Sequence, residues 1–353
     1  MRNVTIKDIA RIANVSYATV SRALSGSTEI NSETRKRILQ ICEEVGYTPN
    51  DIARSMVARQ THLLGLIVSN INNPFMAELA YHIEAHARKL GYSIMLCNSS
   101  QSGDLEKNVY SLLLGRQVDG ILIVPAFADT YRTLEPLLGK TPTVFISENL
   151  RDLPESYVSV DNYQGTRLGM EHLYSLGHRN ILYFGRRKRS ATHALRAKGY
   201  LDACKQFGLT PQVFENRFSA SSIQNGYQLA MELFAQELPY TAIFAAADTL
   251  ALGVMQAADE CGIAIPQQLS LMGFDNIRYC ELPKINLTTI EQPIPMMAVA
   301  AVEMLIEKID NKAAGYSHRV LTPSLIVRNT TKPPEKAEIS GYSGHMANAI
   351  KNL

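Results

Sequence analysis

The sequence predicts a small all-α head at the N-terminus, built as a helix-turn-helix, and behind it an α/β core of two doubly wound parallel-sheet subdomains. Three observations predict this. Residues 5–24 place capping residues, and apolar residues at helical spacing, on either side of a tight turn. From residue 63, short β-branched runs alternate with longer amphipathic segments. After Asp161 that alternation begins a second time, and strand–helix alternation implies a parallel sheet covered on both faces.

In the head, Thr5 with Asp8 three residues on makes a capping-box-like start, and Ile6, Ile9, Ala10 and Ala13 then share one helical face. Asn14 stands where the chain must turn sharply, and asparagine tolerates the left-handed conformation better than any other residue except glycine. Ser16 is placed to cap a second helix. That helix has a buried stripe of Val20, Ala23 and Leu24 and turns Tyr17, Ala18, Ser21 and Arg22 outward. The second helix of such a pair lies in the major groove of duplex DNA with its N-terminal residues at the base edges. Arg22 has the geometry for a bidentate contact to guanine, whereas Ala18 offers only a methyl group. A third helix is expected from Asn31 or Ser32, burying Ile38, Ile41, Cys42 and Val45 and ending at Gly46. Charge agrees with a DNA partner. The first 60 residues carry nine Lys and Arg against six Asp and Glu, while the rest carry 26 against 27.

In the core, strands are expected at Leu63–Val68, Ile94–Cys97, Gly120–Val124, Val144–Ile146 and Tyr157–Asp161. A second series follows at Ile181–Phe184, Ala242–Ala245 and Leu269–Phe274, with helices between, among them about Phe75–Leu90 and Leu105–Arg116. Two such series imply two similar subdomains with a cleft between them. Ligands of open α/β sheets bind beyond the carboxyl ends of the strands.

A chain of 353 residues is too long for one ordinary core, and 46% hydrophobic content is that of a soluble globular protein. It has no run of 18 apolar residues and no apolar stretch near its N-terminus, so membrane-spanning and secreted readings are set aside. Five cysteines (Cys42, Cys97, Cys204, Cys261 and Cys280) are odd in number and never form a Cys-x-x-Cys pair. A reduced, cytoplasmic compartment is expected. Gly139-Lys-Thr141 resembles the end of a phosphate loop, but Leu134 stands where its first glycine should be and the run precedes a strand. His82 and His86 lie four apart on a helix, yet no third metal ligand is evident, so a solvated helix face is expected. No Ser/His/Asp arrangement appears. The expectation is therefore no catalysis, no cofactor and no metal.

The head motif, together with Tyr47-Thr-Pro-Asn-Asp-Ile-Ala-Arg54, closely resembles the lac/gal repressor family of bacterial transcription regulators, over residues 3 to about 330. The resemblance implies a head at 1-48, a hinge helix and linker at 49-61, and a periplasmic-binding-protein-like core at 62-330. Within that core it implies an N-subdomain of about 62-161 plus 293-322 and a C-subdomain of about 162-292 plus 323-330. The tail 331-353, rich in Pro, Lys, Gly and Ser, is expected to be unfolded and too short for a tetramerising coiled coil. A homodimer on a two-fold operator follows. Carried over onto this chain, DNA contacts fall on Thr5, Ser16, Tyr17, Ala18, Thr19, Ser21, Arg22, Asn50, Ala53 and Met56. The family forms its hinge helix on the operator and pries open the minor groove with a paired apolar side chain. Here that residue is Met56, where the family commonly has Leu.

The resemblance also places a small sugar-like effector in the cleft. Asn73, Phe75 and Met76 match the family's sugar-contact segment, and Ser147 with Glu148 stands where many relatives have Asp-Arg. Arg196 matches an arginine that clamps the effector, and Phe218 lies in a segment that supplies a stacking ring in some members. Asp275 and Gln292 match a carboxylate and an amide that bind hydroxyls. Ala247 replaces a usual Asn or Ser, which leaves Asp248 to cap the following helix. Arg186-Arg-Lys-Arg189 follows a strand and begins near the cleft mouth, either as an anion site or as a solvated basic loop. The leading function is an effector-responsive repressor of sugar uptake or catabolism genes. The rivals are a non-regulatory solute-binding protein, against which the head argues, and a nucleotide-dependent α/β enzyme, which lacks the Gly-rich turn it needs.

Overall fold

The computed structural model describes residues 4–25, 29–47, 60–127, 129–147, 154–187, 189–218, 220–236, 239–311 and 315–334. It comprises two compact units, Met1–Thr61 and His62–Leu353. Asn50, Ala53, Met56, Glu148, Lys188 and the tail beyond residue 334 lie outside the described residues.

Among its described residues the head has three helices: α1 (Ile6–Ile12), α2 (Tyr17–Ser25) and α3 (Ser32–Glu44). The Asp8 carboxylate accepts from both the backbone N–H (3.0 Å) and the hydroxyl (2.7 Å) of Thr5. Asn14 takes a φ of 51°, as the turn requires. Ser16 Oγ accepts from the Thr19 N–H at 3.1 Å and starts α2. The Asn31 side chain accepts from the Glu33 N–H at 2.9 Å and starts α3, which Gly46 terminates with a φ of 65°. Ile9, Ala13, Val20, Ala23, Ile38 and Cys42 form the core, with Leu24, Ile41 and Val45 partly buried against it.

Among its described residues the second unit holds two six-stranded sheets. The first has the order β11-β5-β4-β3-β1-β2, from β1 (Leu63–Val68), β2 (Ser93–Asn98), β3 (Gly120–Ile123), β4 (Thr143–Ile146), β5 (Ser156–Val160) and β11 (His318–Leu321). All its ladders are parallel. Alternation along the strands divides its core. Leu64, Leu66, Leu122, Val144 and Val158 face one layer, whereas Ile67, Ile121, Ile123, Phe145 and Tyr157 face the other. Helices α4 (Pro74–Lys89) and α11 (Ile294–Asp310) pack on the first face, and α5 (Gly103–Gly115) with the short α6 (Thr130–Leu134) on the second.

The second sheet has the order β12-β10-β9-β8-β6-β7. Its strands are β6 (Ile181–Arg186), β7 (Gln212–Glu215), β8 (Ala242–Ala245), β9 (Ser270–Asp275), β10 (Thr288–Glu291) and β12 (Ser324–Ile326). Only β12 runs antiparallel to its neighbour. Helix α7 (Asn162–Ser175) pairs with α8 (Ala191–Phe207), and α9 (Ile223–Phe234) pairs with α10 (Asp248–Glu260). Sheet membership shows the chain passing between the halves after β5, after β10 and between β11 and β12.

Three expectations need correction here. The unfolded tail does not begin at Thr331, because its hydroxyl bonds His172 Nε2 at 3.0 Å and the Lys332 N–H donates to Ser270 Oγ at 3.1 Å. His86 is not on a solvated face; it packs towards α11, 3.7 Å from Glu303. Asp248 does not cap α10. It is the first residue of that helix, and its buried carboxylate accepts from Thr289 Oγ1 (2.6 Å), the Ile277 N–H (3.0 Å) and Cys280 Sγ (3.2 Å). These bonds brace the turn that follows β9.

Helix α10 starts at the cleft and is held against α9 by two glycines. A Cβ on Gly253 would collide with the Ile223 carbonyl oxygen, and one on Gly226 with the Leu250 carbonyl oxygen. Backbone cannot yield as a side chain can, so Gly253→Ala should destabilise the core by about 1–3 kcal/mol. Thermal unfolding followed by circular dichroism checks this, and an unchanged midpoint would contradict the close crossing.

Candidate functional site

Two surfaces carry the residues singled out by sequence. On the head, the cap of α2 fixes which side chains face out. Tyr17 is 51% exposed, Ala18 and Arg22 are exposed, and Thr19 and Ser21 are half-buried, while Val20 and Ala23 are fully buried. The exposed Arg22 Nε lies 3.6 Å from Glu29, an ion pair that water and salt readily replace. Thr5 is exposed at the start of α1. The outward face of α2 therefore offers one cation, one aromatic ring and hydroxyls, which is the chemistry of base-edge and phosphate contact.

In the core, the strand ends of both sheets line one cleft that opens to solvent. Ser69 follows β1, Ala126 follows β3 and Ser147 follows β4 in the first half. Arg187 follows β6, Ala247 follows β8, Asp275 ends β9 and Gln292 follows β10 in the second. Asn73, Phe75 and Met76 also line it, Asn73 as the N-cap of α4 with its side chain accepting from the Phe75 N–H at 3.0 Å.

Arg196 organises the floor. It is 4% exposed, and its Nε donates to Asn162 Oδ1 at 2.8 Å, Nη1 to the Ala246 carbonyl at 2.6 Å and Nη2 to Asp275 Oδ1 at 3.1 Å. The guanidinium lies over the Phe274 ring, 3.6 Å from its centroid. Gln292 Nε2 donates to the same Asp275 oxygen at 2.7 Å. Burial pushes the Asp275 carboxyl up to about 7, with Arg196 pulling it down, Asp248 pushing it up and Gln292 pulling it down. Asp275 and Ser147 both hold positive φ values, 124° and 67°, a backbone cost that clusters where the cleft is formed.

Sequence reasoning missed several lining residues: Ser69, Gln101, Ser190, Thr192, His193 and Ser221. Ser190 caps α8 by accepting from the His193 N–H at 3.3 Å, and its hydroxyl bonds Thr192 Oγ1 at 2.8 Å. A hydroxyl pair just after a predicted strand, with His193 one helical turn before Arg196, was the available signal. Burial, with Arg196 and Arg187 nearby, holds His193 well below the usual histidine range, so its imidazole is neutral.

Phe218 does not line the cleft. The Asn216 side chain folds its loop back by accepting from the Phe218 N–H at 2.9 Å, and the half-buried ring packs on the core under the Arg217 guanidinium. The basic run 186–189 is also divided. Arg186 turns to Glu215 on β7 (4.0 Å), Arg187 lines the cleft, and Arg189 reaches across to the first half. There it bonds both oxygens of Asp129 (3.2 and 3.3 Å) and stacks on Phe127 at 4.2 Å. The buried Glu106 carboxylate steadies that loop, accepting from the Ala126 N–H (2.9 Å) and Thr130 Oγ1 (2.6 Å). Among the described residues no group of three His, Cys, Asp or Glu side chains is gathered as a metal site, and no helix is long and apolar enough to cross a membrane.

A family model for bacterial regulatory proteins of the lacI family matches residues 5–50, and one for the periplasmic binding protein-like domain matches residues 170–331. Catabolite control protein A of Priestia megaterium is 33% identical over 329 residues, 90% of this chain and 98% of that protein. The chain belongs to the lacI family of bacterial regulatory proteins. The crystal structure of the lac repressor dimer bound to operator and the anti-inducer ONPF matches with a TM-score of 0.84 at 26% identity, covering 94% of this chain and 100% of that one. A lacI-family regulator from Enterococcus faecium with bound ribose matches with a TM-score of 0.69 at 27% identity, covering 77% of this chain and 100% of that one.

A titration follows from the cleft floor. Burial makes native Asp275 hold its proton to a higher pH than the unfolded chain, which releases it near pH 4, so the window runs upward from pH 4 to the native value. On this residue's account, folding stability is greatest below pH 4 and declines as pH rises through that window. Asp275→Asn should flatten this part of the profile of Tm against pH, and an identical slope in the variant would contradict it.

Proposed function

We propose that this regulator is a repressor that binds a palindromic operator as a homodimer and responds to a small sugar-like effector in the core cleft. The observation that carries the reading is α2, whose cap and buried stripe leave Tyr17, Ala18 and Arg22 facing out together. Membership of the family supports it, as do the operator-bound dimer and the ribose-bound regulator among its structural neighbours. Thr5, Ser16, Thr19 and Ser21 supply phosphate and groove contacts, and Asn50, Ala53 and Met56 supply the hinge and its minor-groove wedge. In the cleft, Phe75 stacks on an apolar sugar face, and Asp275 and Gln292 take hydroxyls. Arg196 holds that pair in place. Glu148 joins this set by resemblance alone. The genes controlled are those of sugar uptake or catabolism, the compartment is the cytoplasm, and the cleft performs no chemistry.

Gel shift on the gene's own upstream region tests the whole reading; no shift with either ligand-free or ligand-loaded protein would overturn it. Arg22→Ala should lower specific operator affinity by about 1–3 kcal/mol and change binding to random DNA far less. Equal losses on both DNAs would remove Arg22 from base reading.

Light scattering should give a dimer, since a two-fold operator is met by two heads, one from each chain. A stable tetramer abolished by deleting residues 331–353 would contradict this.

A further inference from the structure

Three residues lining the core cleft hold a buried polar atom without a hydrogen-bond partner: Gln101 (Oε1) and Ser147 (Oγ) from the first half, and Ser221 (Oγ) from the second. Ser221 is only 7% exposed. The main chain at each is pinned. The Gln101 N–H donates to the Ser69 carbonyl and the Ser147 N–H to the Val158 carbonyl, both at 2.8 Å. The Ser221 carbonyl accepts from Thr249 Oγ1 at 3.0 Å. Gln101 and Ser147 are held in the left-handed region, with φ of 55° and 67°. Buried hydroxyls and amides are almost always hydrogen-bonded, and leaving one unmade costs more than a made bond gains. Orphans gathered on one cleft, from both halves and on a fixed backbone, therefore point to a ligand that satisfies them.

We infer that Gln101, Ser147 and Ser221 are effector contacts, and that the effector they select is an uncharged polyhydroxy compound whose hydroxyls bond both halves of the cleft. The inference rests on the effector reading of the cleft. An amide oxygen only accepts, so the ligand group at Gln101 must donate, which an ionised carboxylate or phosphate cannot do. A hydroxyl both donates and accepts, so neighbouring hydroxyls on one ligand serve the two serines as well. The cations agree with an uncharged ligand. Arg196 makes three hydrogen bonds to protein groups, and Arg187 has an interaction of its own. Arg186 pairs with Glu215 and Arg189 with Asp129. The His193 imidazole is neutral. Among the described lining residues the cations are thus already engaged.

The test is calorimetric titration of the full-length protein with ribose, glucose and galactose, their terminal phosphates, glucuronate and galacturonate. Monodeoxy analogues of the neutral sugar that binds complete the set. No charged form should bind more tightly than its neutral parent. Gln101→Met and Ser221→Ala should each weaken the neutral sugar by about threefold to tenfold. The Tm of the ligand-free variants should be unchanged or higher, because each substitution removes a buried group that the fold leaves unsatisfied. A structural role would move Tm downward instead. One monodeoxy analogue should lose a similar factor on the wild type and nothing further on Gln101→Met, as a direct contact requires. Unchanged affinity in both variants, a lowered Tm in both, or a charged form that binds more tightly than its parent would overturn the inference and leave the effector reading standing. Failure of every sugar to bind would overturn both.

Discussion

One buried guanidinium organises the core. Arg196 ties the start of α7, the end of β8 and the end of β9 to a single side chain, and the Phe274 ring closes its remaining face. A charge taken out of water is tolerated only with its partners in place, and removing one side of such a pair typically costs about 3–5 kcal/mol. Strand ends that would otherwise be independent loops are therefore held in one geometry before any ligand arrives. Such preorganisation lowers the ordering cost of binding.

Around that floor the two halves are joined more loosely. Arg189 and Asp129 meet across the cleft with side chains 66% and 58% exposed, so their attraction is screened and worth at most about 1 kcal/mol. The Asp129 loop is itself firm, because Glu106 accepts two hydrogen bonds from it in a buried setting. A firm loop ending in a weak, exposed pair gives a contact that can open and close without local unfolding. In the proposed function, that is what a cleft which must admit and release an effector requires.

Several polar groups in the second half are drawn into this framework. Asp248, which sequence reasoning made a helix cap, faces inward because Thr289, Cys280 and the Ile277 N–H offer three bonds that an exposed cap could not match. The same economy of partners makes the unpaired Ser221, Ser147 and Gln101 atoms informative.

The head was legible almost residue by residue from sequence. Its caps, its left-handed Asn14 and its apolar stripes are local signals, and local hydrogen bonds decide helix ends whatever the tertiary context. The two strand series and the placing of Asn73, Phe75, Arg196, Asp275 and Gln292 at the cleft were also legible, since a parallel sheet sends its carboxyl ends to one side. Strands β7, β10, β11 and β12 were not. The edge strand β7 is half-exposed, and β10 buries two threonines whose hydroxyls bond outside the strand, so neither shows an apolar run. Tertiary structure alone decided that Phe218 turns away from the cleft and that the cations of 186–189 part company. It also brought Ser221 and Gln101 to the same cleft. Sequence records which groups a segment carries, but direction is settled by partners distant in the chain: Glu215 for Arg186, Asp129 for Arg189 and Glu232 for the Arg217 that covers Phe218.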